Sequence, residues 1–170
     1  DCDKWALNLT HCPTIAYSGE NDSQKQAADV MEKALAGHGI QLRHVIGKGM
    51  GHRFDQQSKN TIASTMEVLA RAGRRKLQNR VQFETTTLRY NRMQWLQVHG
   101  LEQHHIPARI GGEFPILKST SHPVVIRVEG AKNITEFSIE FPPGTIELPM
   151  EFLQVALDMP RGDQEPYIKI

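Results

Sequence analysis

Eight of the nine prolines in this 170-residue chain fall after residue 100. Proline lacks a backbone N–H and breaks helix interiors, so the second half is restricted to strands and loops. The first half holds only Pro13, and helical periodicity follows it. Charge divides in the same way. Residues 1–80 carry 12 basic and 8 acidic side chains, and residues 81–170 carry 8 and 11. The predicted organisation is therefore an α/β piece over 1–78 followed by an all-β, sandwich-like piece over 79–170. The balance of 20 basic and 19 acidic groups gives no general attraction to nucleic acid or anionic lipid. No run approaches the ~20 apolar residues that a membrane helix requires. Apolar residues at 39% exclude a disordered or collagen-like chain.

In the first half, Thr14–Tyr17 reads as a short buried strand and residues 18–22 as a loop. A helix is expected from Ser23, with Ser23 and Gln26 as a capping box and Ala27, Val30, Met31, Ala34 and Leu35 as its core face. Ile40, Leu42, His44 and Ile46 alternate as a second strand, and a glycine-rich loop, Gly47 to His52, follows. A second helix carries Ile62, Met66, Leu69 and Ala70 and runs into Arg71, Arg74, Arg75 and Lys76. In the second half, strands are predicted over Val81–Leu88, Met93–Val98, Ile106–Ile110, Pro123–Val128 and Ile134–Phe141. Turns are read at Gly111-Gly112, Pro142-Pro143-Gly144 and Arg161-Gly162-Asp163. Residues 167–170 alternate as a further strand.

Asp22 follows the first strand and His52 follows the second. In an open parallel sheet both loops lie at the carboxyl edge, where sites are built. A carboxylate that accepts from one imidazole nitrogen fixes the tautomer and leaves the other nitrogen to take a proton from a nucleophile. Taken singly, Asp22 also reads as a turn or capping residue and His52 as a loop histidine; their order on successive strand ends favours an acid–base pair.

The segment Pro13 to Asp22, the helix with Gln26 and Ala27, and Gly51-His52-Arg53-Phe54 together resemble the C-terminal part of an α/β-hydrolase. The nearest family is the prolyl-oligopeptidase-like serine peptidases, over roughly residues 1–78. The resemblance implies that Asp22 is the triad acid and His52 the general base. The triad order in that fold places the serine upstream, in a Gly-x-Ser-x-Gly turn. No such motif occurs in this chain, and Ser18 in Tyr-Ser-Gly-Glu does not supply one. The expected parent is a serine peptidase or other hydrolase of which this chain is a C-terminal fragment. The fragment would be inactive alone, partnered by the upstream half and acting with it on a peptide or ester. Thr87 to Trp95 resembles the start of a β-domain appended to some large members of that group. The family also implies an exported enzyme. The competing expectation is a non-catalytic binding module whose α/β part is scaffold.

The remaining signals are weaker. Cys2 and Cys12 suit free thiols or one local bridge, and Cys12 precedes the strand where no nucleophile elbow would put it. Asn8, Asn21 and Asn133 open glycosylation sequons. His99, His104 and His105 complete no obvious ligand set, so no metal and no cofactor is expected. His44 reads as a packing or surface residue. The basic run ending at Arg80 suits a helix terminus better than a nucleic-acid patch. Trp5 and Trp95 suit a core. Unpaired sheet edges would favour dimers or domain swapping of this chain.

Overall fold

A computed structural model describes residues 2–73, 77–115, 124–141, 153–158 and 167–169. The chain divides into two compact units, Asp1–Lys76 and Leu77–Ile170. Helices and strands are mixed in the first, and strands dominate the second.

The first unit opens with a 3₁₀ helix, Cys2–His11, followed by β1 (Ile15–Gly19), α1 (Lys25–Ala36), β2 (Arg43–Gly47) and α2 (Gln56–Ala72). Strands β1 and β2 pair in parallel from Ile15 opposite Arg43 to Gly19 opposite Gly47. Ala6, Leu35 and Leu42 form the buried centre, with Leu9, Ala16, Met31, Ala34 and Ile40 packed around it. The 3₁₀ helix thus supplies apolar surface for α1 and β1. Val30 is exposed, so the apolar face of α1 is narrower than its periodicity suggests.

The expected capping box does not form. Gln24 is the N-cap of α1 and makes no side-chain capping bond. Asp22 Oδ1 instead accepts the Gln24 backbone N–H at 2.9 Å. At α2 the cap is Asp55, which accepts from Ser58 N at 2.8 Å and Ser58 Oγ at 2.6 Å. These bonds, the Ser58 hydroxyl foremost, hold the Asp55 carboxyl below its usual range. Ile62 and Leu69 are half-buried, whereas Met66 and Ala70 are exposed along with Val68. Arg74, Arg75 and Lys76 lie outside the described residues. No described helix is long and apolar enough to cross a membrane.

The second unit contains β3 (Arg80–Thr85), β4 (Arg92–Met93), β5 (Leu96–Leu101), β6 (Ala108–Glu113), β7 (Val124–Lys132), β8 (Ile134–Ile139), β9 (Leu153–Asp158) and β10 (Tyr167–Lys169). They form two sheets in the orders β3-β6-β7-β9 and β10-β8-β5-β4. Pairing is antiparallel except for β7 with β9 and β8 with β10, which run parallel. One core draws on both sheets: Val81, Phe83, Ile110 and Val128 from the first, Leu96, Val98, Phe137 and Ile139 from the second.

Several boundaries depart from the sequence reading for local reasons. β3 stops at Thr85 because Thr85 Oγ1 donates to Thr87 O at 2.8 Å, and Thr87 then caps a short 3₁₀ turn, Leu88–Tyr90. Ile106 is exposed and precedes β6. Gly111 and Gly112 are not a turn but the interior of β6. A Cβ at Gly112 would lie 2.6 Å from Trp95 Cη2, so the missing side chain is what lets the indole lie against the strand. Trp95 is fully buried, donates from Nε1 to Gln78 O at 2.8 Å, and packs on Phe114 and Phe141. The turns read at 142–144 and 161–163 lie outside the described residues.

Phe137 is fully buried at the centre of this core. Phe137→Ala is expected to destabilise the second unit by about 3–5 kcal/mol, the usual cost of emptying an aromatic site. Urea denaturation of the two proteins checks it; a loss below about 1 kcal/mol would mean that the site collapses to fill the space.

Candidate functional site

The parallel pairing of β1 with β2 ends at Gly19 opposite Gly47, so the loops that follow leave the sheet side by side. The chain then stitches them together through backbone bonds. Glu20 N donates to Gly47 O at 2.9 Å, and Asn21 N donates to Met50 O at 2.8 Å. Gly19 is essential to this approach. A Cβ there would collide with the carbonyl oxygens of Gly51 and Met50. Gly49 holds φ at +66°, a left-handed conformation that glycine adopts without penalty. From the other side, Tyr17 Oη donates to Arg53 O at 2.7 Å, and the Tyr17 ring stacks on Phe54 with centroids 4.1 Å apart.

This framework brings Asp22 and His52 together. His52 Nδ1 lies 2.9 Å from Asp22 Oδ2. A carboxylate only accepts, so Nδ1 carries the proton and the neutral ring is the Nδ1–H tautomer. Its Nε2 has no bonding partner among the described residues. The Asp22 side chain is 11% exposed and the His52 side chain 78% exposed. The carboxylate is thus sheltered and anchored while the imidazole projects outward. The Gln24 backbone N–H, and after it the His52 ring, hold the Asp22 carboxyl below its usual range. Chemically the arrangement is an anchored acid, an oriented imidazole and an open ring nitrogen able to accept a proton.

The other singled-out residues lie elsewhere. Ser18 Oγ is buried on β1 and sits 3.0 Å from His44 Nε2, not beside His52. The His44 side chain is only 6% exposed, and its Nδ1 faces Glu32 Oε2 at 3.3 Å. Sequence reasoning placed His44 in packing or at the surface and missed this Ser18–His44–Glu32 chain. The signal was present: Asp29 and Glu32 lie one helical turn apart on α1, and β2 runs beside β1. Asp29, Glu32 and His44 are also the described group whose donor atoms approach closely enough to share a cation. Lys25 Nζ already contacts both Asp29 oxygens, at 2.7 and 2.8 Å, and a metal would have to displace it.

Cys2 and Cys12 are exposed free thiols. Asn133 is not simply an exposed sequon. It takes a left-handed φ of 57°, its Oδ1 accepts from Gln103 N, and its Nδ2 donates to Gln103 O and Ile106 O. His99 Nε2 bonds Ser138 Oγ at 2.7 Å, Ser138 Oγ donates to Glu140 Oε1, and Arg92 donates to Glu140 Oε2. The Ser138 hydroxyl, followed by the Arg92 charge, lowers the Glu140 carboxyl. His104 and His105 are neighbours with ring centroids 6.3 Å apart and join no described ligand group.

No family model, no curated protein and no solved structure matches the chain.

Two outcomes are expected from this geometry. The folded carboxyl of Asp22 titrates below its unfolded value near 3.8, so its stabilisation is complete above that pH and is lost as pH falls through the lower folded value. Acid unfolding of Asp22→Asn should therefore lack part of the stability loss that the parent chain shows below about pH 3.8; superimposable acid limbs would contradict this. Gly19→Ala should destabilise the first unit by about 1–3 kcal/mol, as overpacking against rigid backbone does, and should separate Asp22 from His52. Urea denaturation and a second structure check the two effects.

Proposed function

We propose that residues 1–78 are the acid–base portion of a serine hydrolase of the α/β-hydrolase type. In this reading Asp22 fixes the Nδ1–H tautomer of His52 and stabilises the imidazolium that forms. Nε2 takes the proton of a serine hydroxyl as that oxygen attacks an acyl carbon, then returns it to the departing amine or alkoxide. The serine and the oxyanion donors come from an upstream segment of the same parent, so this chain alone does not turn over substrate. The substrate class is a peptide or an ester. Residues 79–170 act as a β-sandwich-like accessory unit for packing, docking or substrate access. No cofactor takes part in this chemistry.

The observation that carries the reading is the 2.9 Å contact between His52 Nδ1 and Asp22 Oδ2 at the carboxyl ends of two adjacent parallel strands. The sheltered carboxylate, the exposed ring and the unengaged Nε2 support it. An acid–imidazole pair aimed at solvent on a sheet edge suits a nucleophile delivered from another segment.

The test joins this chain to the segment encoded immediately before it. The joined protein should react with a fluorophosphonate probe at a serine of that segment, and the 170-residue chain by itself should not. His52→Ala in the joined protein should lower turnover by about 10⁴-fold or more, as loss of a triad base does. Near-normal turnover without His52 would overturn the reading.

A two-stranded parallel sheet is marginal by itself, and its outer edges present unpaired backbone groups. The isolated chain is accordingly expected to dimerise or swap strands at micromolar concentration. Light scattering that gives a stable monomer across that range would count against an upstream partner for β1 and β2.

A further inference from the structure

We propose that Glu20 is a positioning residue for the Asp22–His52 pair; the inference rests on the acid–base reading given above. Glu20 lies on the loop after β1, two residues before the acid, yet its side chain reaches across to the other loop. Its Oε2 accepts the backbone N–H of Gly49 at 2.8 Å. Its own backbone N–H donates to Gly47 O at 2.9 Å, and Met50 N donates to that same carbonyl at 3.2 Å. Glu20 therefore holds the histidine loop at both its first and its third residue, with backbone and side chain.

The two kinds of contact differ in consequence. The backbone bonds follow from the course of the chain and survive any side-chain substitution. The carboxylate bond is the side-chain tie from the acid loop to the backbone of the Gly47–Gly51 stretch. It acts on Gly49, whose left-handed backbone gives the loop its bend. Three residues later the chain presents His52, whose exposed ring is held by a single described partner, Asp22. A ring so weakly enclosed depends on the loop beneath it for its distance to the acid. Freeing Gly49 lets that loop swing away from Asp22 while both residues remain in place in the sequence. Glu20 touches neither the reacting atoms nor His52, so its part is to hold rather than to transfer a proton.

The readout is the tautomer of His52, measured in the intact chain from its ring nitrogen-15 shifts through the carbon-bound ring protons, in alkaline buffer. The parent chain should show chiefly the Nδ1–H form. Asp22→Asn should lose that preference. Glu20→Ala should lose most of it as well, with little change in overall stability because the residue is exposed. Glu20→Gln keeps an acceptor oxygen without the charge and should restore the parent spectrum. Glu20→Asp, one methylene shorter, should resemble the alanine variant and serves if that variant folds poorly. If Asp22→Asn shifts the tautomer but Glu20→Ala and Glu20→Asp do not, the positioning role is overturned and the acid–base pair stands. If Glu20→Gln behaves like Glu20→Ala, the effect is one of charge and positioning is again overturned. If Asp22→Asn itself changes nothing, the acid–base reading falls and the inference falls with it.

Discussion

Everything at the candidate site depends on how closely two backbones approach beyond the ends of β1 and β2. Parallel strands lie about 4.8 Å apart, and loops leaving them normally diverge. Here they stay in contact because Gly19 presents no side chain to the carbonyl oxygens of Met50 and Gly51. Three consecutive main-chain groups, from Gly19 to Asn21, face the second loop, and two of them bond it directly. The Asp22–His52 contact is a result of that approach rather than its cause. A hydrogen bond to a largely exposed imidazole is too weak to pull two loops together against their conformational entropy.

The second unit follows the same logic with different chemistry. A large ring, Trp95, needs space beside a strand, and Gly112 provides it from inside β6. The indole N–H is satisfied by Gln78 O, so a polar group is buried without penalty. Phe114 and Phe141 then close on the indole at edge and face. Both units therefore use glycine where one chain segment must press against another, against backbone in the first and against an aromatic ring in the second.

The sequence carried much of this and concealed the rest for identifiable reasons. The order strand, helix, strand, helix in the first half could be read because Ala27 to Leu35 and Ile62 to Leu69 have helical spacing. The placement of Asp22 and His52 at successive strand ends followed from that order alone. Gly111-Gly112 reads as a turn because paired glycines usually punctuate strands, and the packing that requires Gly112 comes from Trp95, which lies 17 residues earlier. Ser23 does not cap α1 because Asp22, one residue before it, offers a better acceptor to the backbone. The 3₁₀ helix at Cys2–His11 has no periodic signature, since its apolar contacts come from Ala6, Leu7 and Leu9 within one short stretch. The His44 chain is hidden in the sequence because it depends on the pairing of β2 with β1, which brings together residues 26 apart.

The placement of the tryptophans has an optical consequence. The chain contains two, and each unit holds one. Trp95 is sealed from water, whereas Trp5, on the 3₁₀ helix, is only half-buried. Their emission should differ in colour and in access to quenchers. Fluorescence thus carries a separate signal from each half of the molecule without any added label.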